Sequence, residues 1–265
     1  MSIEEKIKNN STVNKGDLIS YLSQKAKNHK NYKHYTKAYK IETILNNNTI
    51  YLSNGSNWND LIDKKNFNSD ESETINFGIC LSFSKSESIA MWMLYSGNEG
   101  CMIDYDTKTI REILDAKFVE MGNFVDGTFI PLKRFNRDSF DISIFDIVYY
   151  NFEKDRKKIG DVVYVKRSDE TNKEFPKTKI DELTFHKKTL PWSYENECRL
   201  VVSIKKEVLG NDPGDTVAIS FPEKFVDGLK KRTYDSPNSK ANKYQESNLK
   251  NKINWDLCYG CEKGR

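Results

Sequence analysis

In the run WSYENECRLVV, residues 192–202, Glu195, Glu197 and Arg199 occupy every second position. A strand sends alternate side chains to opposite faces, so these three would share one face while Cys198, Leu200 and Val202 turn to the other. Two carboxylates beside a guanidinium make one of two things. They form a solvated ladder whose ion pairs contribute little, or a site able to move a proton, stabilise charge or hold a magnesium ion.

Histidine occurs three times, which makes each one easy to weigh. His29, in the polar AKNHKN, is expected in solvent, and His186, in LTFHKK, fits either a core or a site. His34 alternates with Tyr32 on a predicted strand, where a hydrogen-bonded structural role competes with a functional one. Trp92 and Tyr95, three apart on a predicted helix, are either plain core or an aromatic wall. Ser82 and Ser84 fall in phase on an apolar strand and either line a pocket or face outward. Asn59 and Asp60 lie in a polar, turn-rich loop. The Cys258–Cys261 pair has no second pair to complete a zinc site and is expected to be two unligated thiols. No phosphate-binding glycine loop, dinucleotide fingerprint, zinc-protease motif or nucleophile elbow is present.

The elements that must position these residues follow from periodicity. Leu18, Ile19, Leu22 and Ala26 predict a helix to about Asn28, with Asp17 as its cap. NYKHYT predicts a strand, KAYKIETILNNN a helix and TIYLS a strand. Residues 54–76 read as a long loop. FGICLSFS reads as a buried strand, KSESIAMWMLYS as an amphipathic helix capped by Ser86, and GCMIDYD as a strand. A helix over TKTIREILDAKF and strands over FDIVYY and DVVYVK come next, then a lysine-rich loop over 166–179. KIDELTFHKKTL predicts a helix, RLVVSI and TVAISF a closing pair of strands, and 231–251 a polar extended arm. Strands and helices intersperse without regular alternation, so the expected class is α+β, one domain, with a mixed or antiparallel sheet.

Composition narrows the setting. The 265 residues include 37% hydrophobic and 31% charged side chains with a formal net charge of +3, enough for a core and too balanced to announce nucleic acid. Five cysteines, an odd number and mostly in apolar runs, fit a reducing compartment. Neither a signal peptide nor a membrane span is legible, so a cytoplasmic location is expected.

Taken in order, HYT, WND, CLSFS, MWMLYS and YENECRLV resemble a bacterial family known as a domain of unknown function, number two-nine-seven-one, over about residues 30–205. YKHYTKAYKIETILNNNTIYLS also resembles the opening unit of the ADP-ribosyltransferase superfamily. That second resemblance implies a split sheet flanked by helices over 30–230, with 1–29 as an N-terminal helical segment and 231–265 as a polar extension. It also implies NAD as substrate. His34, with Tyr35 and Thr36, would hold the adenosine-side ribose. Ser82 and Ser84, or Tyr95, would match the motif that shelters the nicotinamide, with Trp92 and Tyr95 offering an aromatic wall for it, and Glu195 and Glu197, with Arg199 beside them, would stand as the late Glu-x-Glu. Glu197 would stabilise the cationic ribose as the bond to nicotinamide breaks, and Glu195 would serve the acceptor. Asn59 and Asp60 stand where DNA-modifying members carry an arginine, so the acceptor does not transfer.

The expectation is therefore an NAD-consuming transferase or NAD glycohydrolase, needing no metal. It would act as a toxin or phage-defence effector on a protein, nucleic acid or water acceptor, with a regulatory partner or antitoxin and no membrane. The alternatives are a metal-dependent nuclease built on the carboxylate ladder and a non-catalytic nucleotide sensor. Convergence of His34, Tyr95 and Glu197 on one cleft is what the transferase pattern requires.

Overall fold

Helix α1 (Lys15–Lys27) starts at Asn14, whose side chain accepts the Asp17 N–H at 2.7 Å, so the cap is Asn14 and Asp17 lies in the first turn. Strand β1 (Tyr32–Lys37), helix α2 (Ala38–Asn47) and strand β2 (Thr49–Ser53) fall where the periodicity puts them, with Asn48 in left-handed conformation closing α2. This computed structural model describes residues 14–58, 60–68, 72–97, 100–150, 161–164, 173–176, 181–210 and 213–237. The Cys258–Cys261 pair, Asn59 and most of the expected arm over 231–251 lie outside them.

The loop expected over 54–76 contains helix α3 (Leu61–Phe67). Asp60 caps it by accepting the N–H groups of Ile62 and Asp63 at 2.9 and 3.2 Å. Leu61 and Ile62 are exposed, so the helix lacks the apolar stripe that reveals longer ones. After strand β3 (Thr74–Ser82), the predicted regular helix is instead the short α4 (Ile89–Met91), capped by Ser88 and not Ser86. It runs into a π-helical turn, Trp92–Ser96, that ends at Gly97 with φ of 65°.

Strand β4 (Gly100–Tyr105) and helix α5 (Thr107–Leu114) follow as expected. Strands β5 (Phe118–Val125) and β6 (Thr128–Asn136) form a hairpin around Asp126 and Gly127, both at positive φ. Next come β7 (Phe140–Asp146), β8 (Val148–Tyr150), β9 (Asp161–Tyr164) and β10 (Lys173–Pro176), the last inside the expected loop over 166–179. The predicted helix over KIDELTFHKKTL is replaced by a 3-10 turn at Asp181–His186, strand β11 (Lys187–Thr189) and a second 3-10 turn at Leu190–Glu195. Strands β12 (Glu197–Lys205) and β13 (Thr216–Ser220), helix α6 (Val226–Lys231) and strand β14 (Thr233–Asp235) complete the described chain.

Among the described residues ten strands form one antiparallel sheet, ordered β14-β4-β1-β3-β2-β13-β5-β6, with β12 joined to β3 and β7 joined to β12. Along one edge β3 pairs with β12 over all nine residues. Along the other it meets β1 at Lys33↔Ser82 and β2 at Ser53↔Gly78. The sheet therefore divides at β3 into two wings. Gly78 has no side chain because Phe67 of α3 lies over it; a Cβ there would stand 2.7 Å from the Phe67 ring.

One face of the sheet carries the main core, with Tyr32, Leu81, Ile103, Cys198 and Leu200 packed under α2 and α5. The other carries two smaller clusters. The first joins α1 to Phe67, Phe145 and Val201, and the second gathers Tyr35, Met91, Trp92 and Met102. Helix α1 and strand β14, from the two flanking segments of the sequence division, both pack into this one α+β body.

Candidate active site

The second face carries the charged residues, and strand register says which ones. Directly opposed residues of an antiparallel pair share a face. Lys33, Ser82 and Glu197 form one row across β1, β3 and β12, and Cys80, Arg199 and Phe145 form the next across β3, β12 and β7. Glu195 reaches the same place by a different route from the predicted alternation. It ends the 3-10 turn, and Asn196, left-handed at φ 45° and ψ 57°, swings the chain into β12 between the two glutamates. Asparagine tolerates that conformation better than a bulkier residue would.

Lys188 is the hub. Its ammonium lies 2.7 Å from Glu195, 2.9 Å from Glu197 and 3.7 Å from Asp63. Arg199 grips Asp63 with both terminal nitrogens at 2.7 and 2.5 Å, meets Glu197 through Nε at 2.5 Å and donates to the Phe185 carbonyl at 2.9 Å. The Trp58 ring covers its guanidinium at 4.7 Å. Tyr149 accepts the Glu197 backbone N–H at 2.8 Å, and the Tyr95 hydroxyl donates to Glu195. Arg199 is fully buried, and Glu195, Glu197, Asp63 and Lys188 each show 6% of their surface or less.

Three carboxylates thus face two cations in a poorly solvated place, which leaves one negative charge in excess if all are ionised. The imbalance separates the two glutamates. Burial pushes the Glu195 carboxyl up from its ordinary 4.5 to about 7, with the charge of Glu197 adding to the effect and Lys188 opposing it. Burial acts the same way on Glu197, but Arg199 and Lys188 outweigh it and hold that carboxyl well below the usual range. Glu197 is a fixed anion, and Glu195 is poised to exchange a proton near neutrality. Tyr95, raised by burial and by Glu195, stays protonated and is a donor.

The predicted site residues divide between the faces. Glu195, Glu197, Arg199, Ser82 and Tyr95 meet in or beside the cluster. Tyr35 shares that face and packs edge-on against Trp92 at 5.1 Å, while the Trp92 indole N–H donates to Glu87. The backbone N–H of Ser84 bonds the Ser82 hydroxyl at 3.4 Å, just beyond the strand. His34 and Thr36 do not join: they pair with Ile103 and Cys101 on the main-core face. Burial and then the charge of Lys40 pull the His34 imidazole down to about 3, so it is neutral. The expected convergence of His34 with Tyr95 and Glu197 therefore does not occur. Sequence parity alone left open which face of β1 the site would use.

Asp60 acts through the backbone, capping the helix that presents Asp63. His29, expected in solvent, is half-buried against Asp146 at 2.6 Å and stacked on Phe83 at 4.0 Å. His186 is buried beside Phe145 and Phe185, and burial, with Arg199 nearby, pulls it down to about 4. Asp63, Lys188 and Cys80 escaped sequence reasoning. Asp63 had a usable signal in the Asp60 cap, since a cap three residues before an acid marks a helical first turn. Lys188, one of many lysines, had none.

The nuclease alternative needs the carboxylates to share a metal ion. Here the Lys188 ammonium stands between Glu195 and Glu197, in the place such an ion would occupy. Among the described residues no group of three or more histidine, cysteine, aspartate or glutamate side chains is arranged to hold a metal. No helix among them is long and apolar enough to cross a membrane. Residues 91–200, from α4 into β12, match the family described as "Protein of unknown function (DUF2971)". No curated protein and no solved structure matches the chain.

Proposed function

We propose that this chain, whose residues 91–200 carry the DUF2971 match, cleaves an N-ribosyl bond, with NAD as its substrate and nicotinamide as the leaving group. The observation that carries the proposal is the pair Glu195 and Glu197, joined through Lys188 and driven apart in acidity. Breaking a glycosidic bond builds positive charge on the sugar, so it calls for one carboxylate that stays ionised and one that exchanges a proton. Glu197 supplies the fixed charge toward the ribose. Glu195, bridged to Tyr95, takes the proton of the acceptor, which is water in a glycohydrolase and a nucleophile of another molecule in an ADP-ribosyltransferase.

The histidine on the first strand of the transferase pattern has no part in this. Tyr35 and Trp92, with Tyr95, supply the aromatic surface beside Glu195, suited to a flat pyridinium ring. An activity that consumes NAD would act on the cell that holds it, which is why a toxin or phage-defence effector is the biological role proposed, with an antitoxin or other partner to restrain it.

Purified full chain incubated with NAD, alone and with cell lysate, tests the proposal. Nicotinamide release or transfer of labelled ADP-ribose is expected. Thermal protection by NAD without either product would instead favour the nucleotide sensor, a role to which so closed an ion-pair network is also suited.

A further inference from the structure

Both oxygens of the Glu195 carboxylate are engaged. The Tyr95 hydroxyl donates to Oε1, and the Lys188 ammonium donates to Oε2 at 2.7 Å. Glu195 shows only 2% of its surface, while Tyr95 is half-buried. A proton that reaches or leaves this carboxylate thus has two hydrogen-bonded neighbours to pass through, and they differ in what they can do.

Lys188 is unsuited to the task. An ammonium has donors and no acceptor, so it passes on a proton only by giving up its charge. Burial works against that charge, but Glu197 outweighs it and holds the group well above its ordinary range. Tyr95 is different. A hydroxyl both donates and accepts, so it can release its own proton on one side and take another on the other, ending as it began. Burial, and then the charge of Glu195, keep the phenol protonated, so it has a proton to give.

The backbone sets Tyr95 in this position. Trp92–Ser96 is a π-helical turn closed by the Gly97 N–H on the Trp92 carbonyl at 2.8 Å, five residues back. The wide turn leaves Met93 and Leu94 exposed and packs Tyr95 against Tyr35, Met91 and Trp92, with its hydroxyl on Glu195. Single π turns of this kind are frequent at functional sites.

We propose that Tyr95 is a catalytic proton relay, and that the acceptor meets the Tyr95 hydroxyl and not Glu195. This inference rests on the proposed cleavage of NAD. In hydrolysis the bond between ribose and nicotinamide breaks, its electron pair leaves with nicotinamide, and the water oxygen bonds to the ribose carbon. One O–H bond of that water breaks and its proton goes to the Tyr95 oxygen, while the Tyr95 proton goes to Oε1 of Glu195. No charge is left on Tyr95. The same path in reverse returns the proton to solvent.

Tyr95→Phe keeps the ring and removes the hydroxyl. Carbon-13 titration of the Glu195 carboxyl, with no substrate present, should show its midpoint rising from about 7, since a donor that favours the charged form is gone. An unmoved midpoint would overturn the bridge and the relay with it. Single-turnover release of nicotinamide from NAD should fall about 100-fold. In mixtures of light and heavy water the unaltered protein should give a bowed rate plot, because two protons move together, and Tyr95→Phe a straight one. A variant as fast as the unaltered protein, or a slow one with the same bowed plot, would overturn the relay while nicotinamide release by the unaltered protein kept the NAD chemistry standing. An unaltered protein that leaves NAD intact would overturn the NAD chemistry and the relay together, and the titration would still decide the bridge.

Discussion

The Lys188 ammonium stands 2.7 Å from the Glu195 carboxylate, and the same ammonium holds Glu197 at 2.9 Å on its other side. One buried cation thus serves two carboxylates of opposite character. Removing it should expose how strongly the cluster depends on charge balance. Lys188→Met leaves three carboxylates facing Arg199 alone and should cost about 3–5 kcal/mol, the range for an uncompensated buried charge. Adding Glu195→Gln removes one anion, so the double variant should be more stable than Lys188→Met alone. Urea unfolding of the unaltered protein, Lys188→Met, Glu195→Gln and the double variant measures the coupling, and additive losses would contradict it.

Asp60→Ala should cost about 1 kcal/mol through the lost helix cap. Because α3 carries Asp63 to Arg199, the loss should spread beyond the helix. Amide exchange of the first residues of β12 should rise along with that of 61–67. A change confined to α3 would show that the Asp63–Arg199 contact does not depend on the cap.

Acidity gives a signed prediction for stability. The Glu195 carboxyl is raised from 4.5 to about 7 on folding, so the folded state holds its proton more tightly than the unfolded state does. Its contribution is fully present below about pH 4.5 and is lost as the pH rises through about 7. Glu197 is lowered and has the opposite sign, stabilising above its ordinary 4.5 and losing that contribution as the pH falls through its folded value. Unfolding free energy measured from pH 4.5 to 8 should therefore show a downward component that Glu195→Gln removes. An identical slope in that variant would place the raised group elsewhere.

Much of this was legible in the sequence because it rests on local pattern. Strand β1, helix α2 and strand β2 follow from short apolar periods, and β12 from its alternation. The Asp126-Gly127 pair is a hairpin signal and does join β5 to β6. What the sequence could not settle was the phase of β1. Tyr32 and Tyr35 make both of its faces partly apolar, and only the pairing of Lys33 with Ser82 shows that Tyr35, and not His34, faces the glutamates. The residues that complete the cluster were hidden for a similar reason: Asp63 comes from a short, exposed helix whose one sequence signal is the Asp60 cap, and Lys188 from a three-residue strand.

The most direct test is the pH profile of nicotinamide release from NAD by the full chain, compared with Glu195→Gln and Glu197→Gln. The unaltered protein should show a rate limb near pH 7 set by Glu195. Glu195→Gln should lose that limb and about 100-fold or more in kcat, as expected when a general acid–base group is removed, and Glu197→Gln should be slow at every pH. A Glu195→Gln protein that releases nicotinamide at the unaltered rate, with the same limb near pH 7, would contradict the division of labour between the two glutamates.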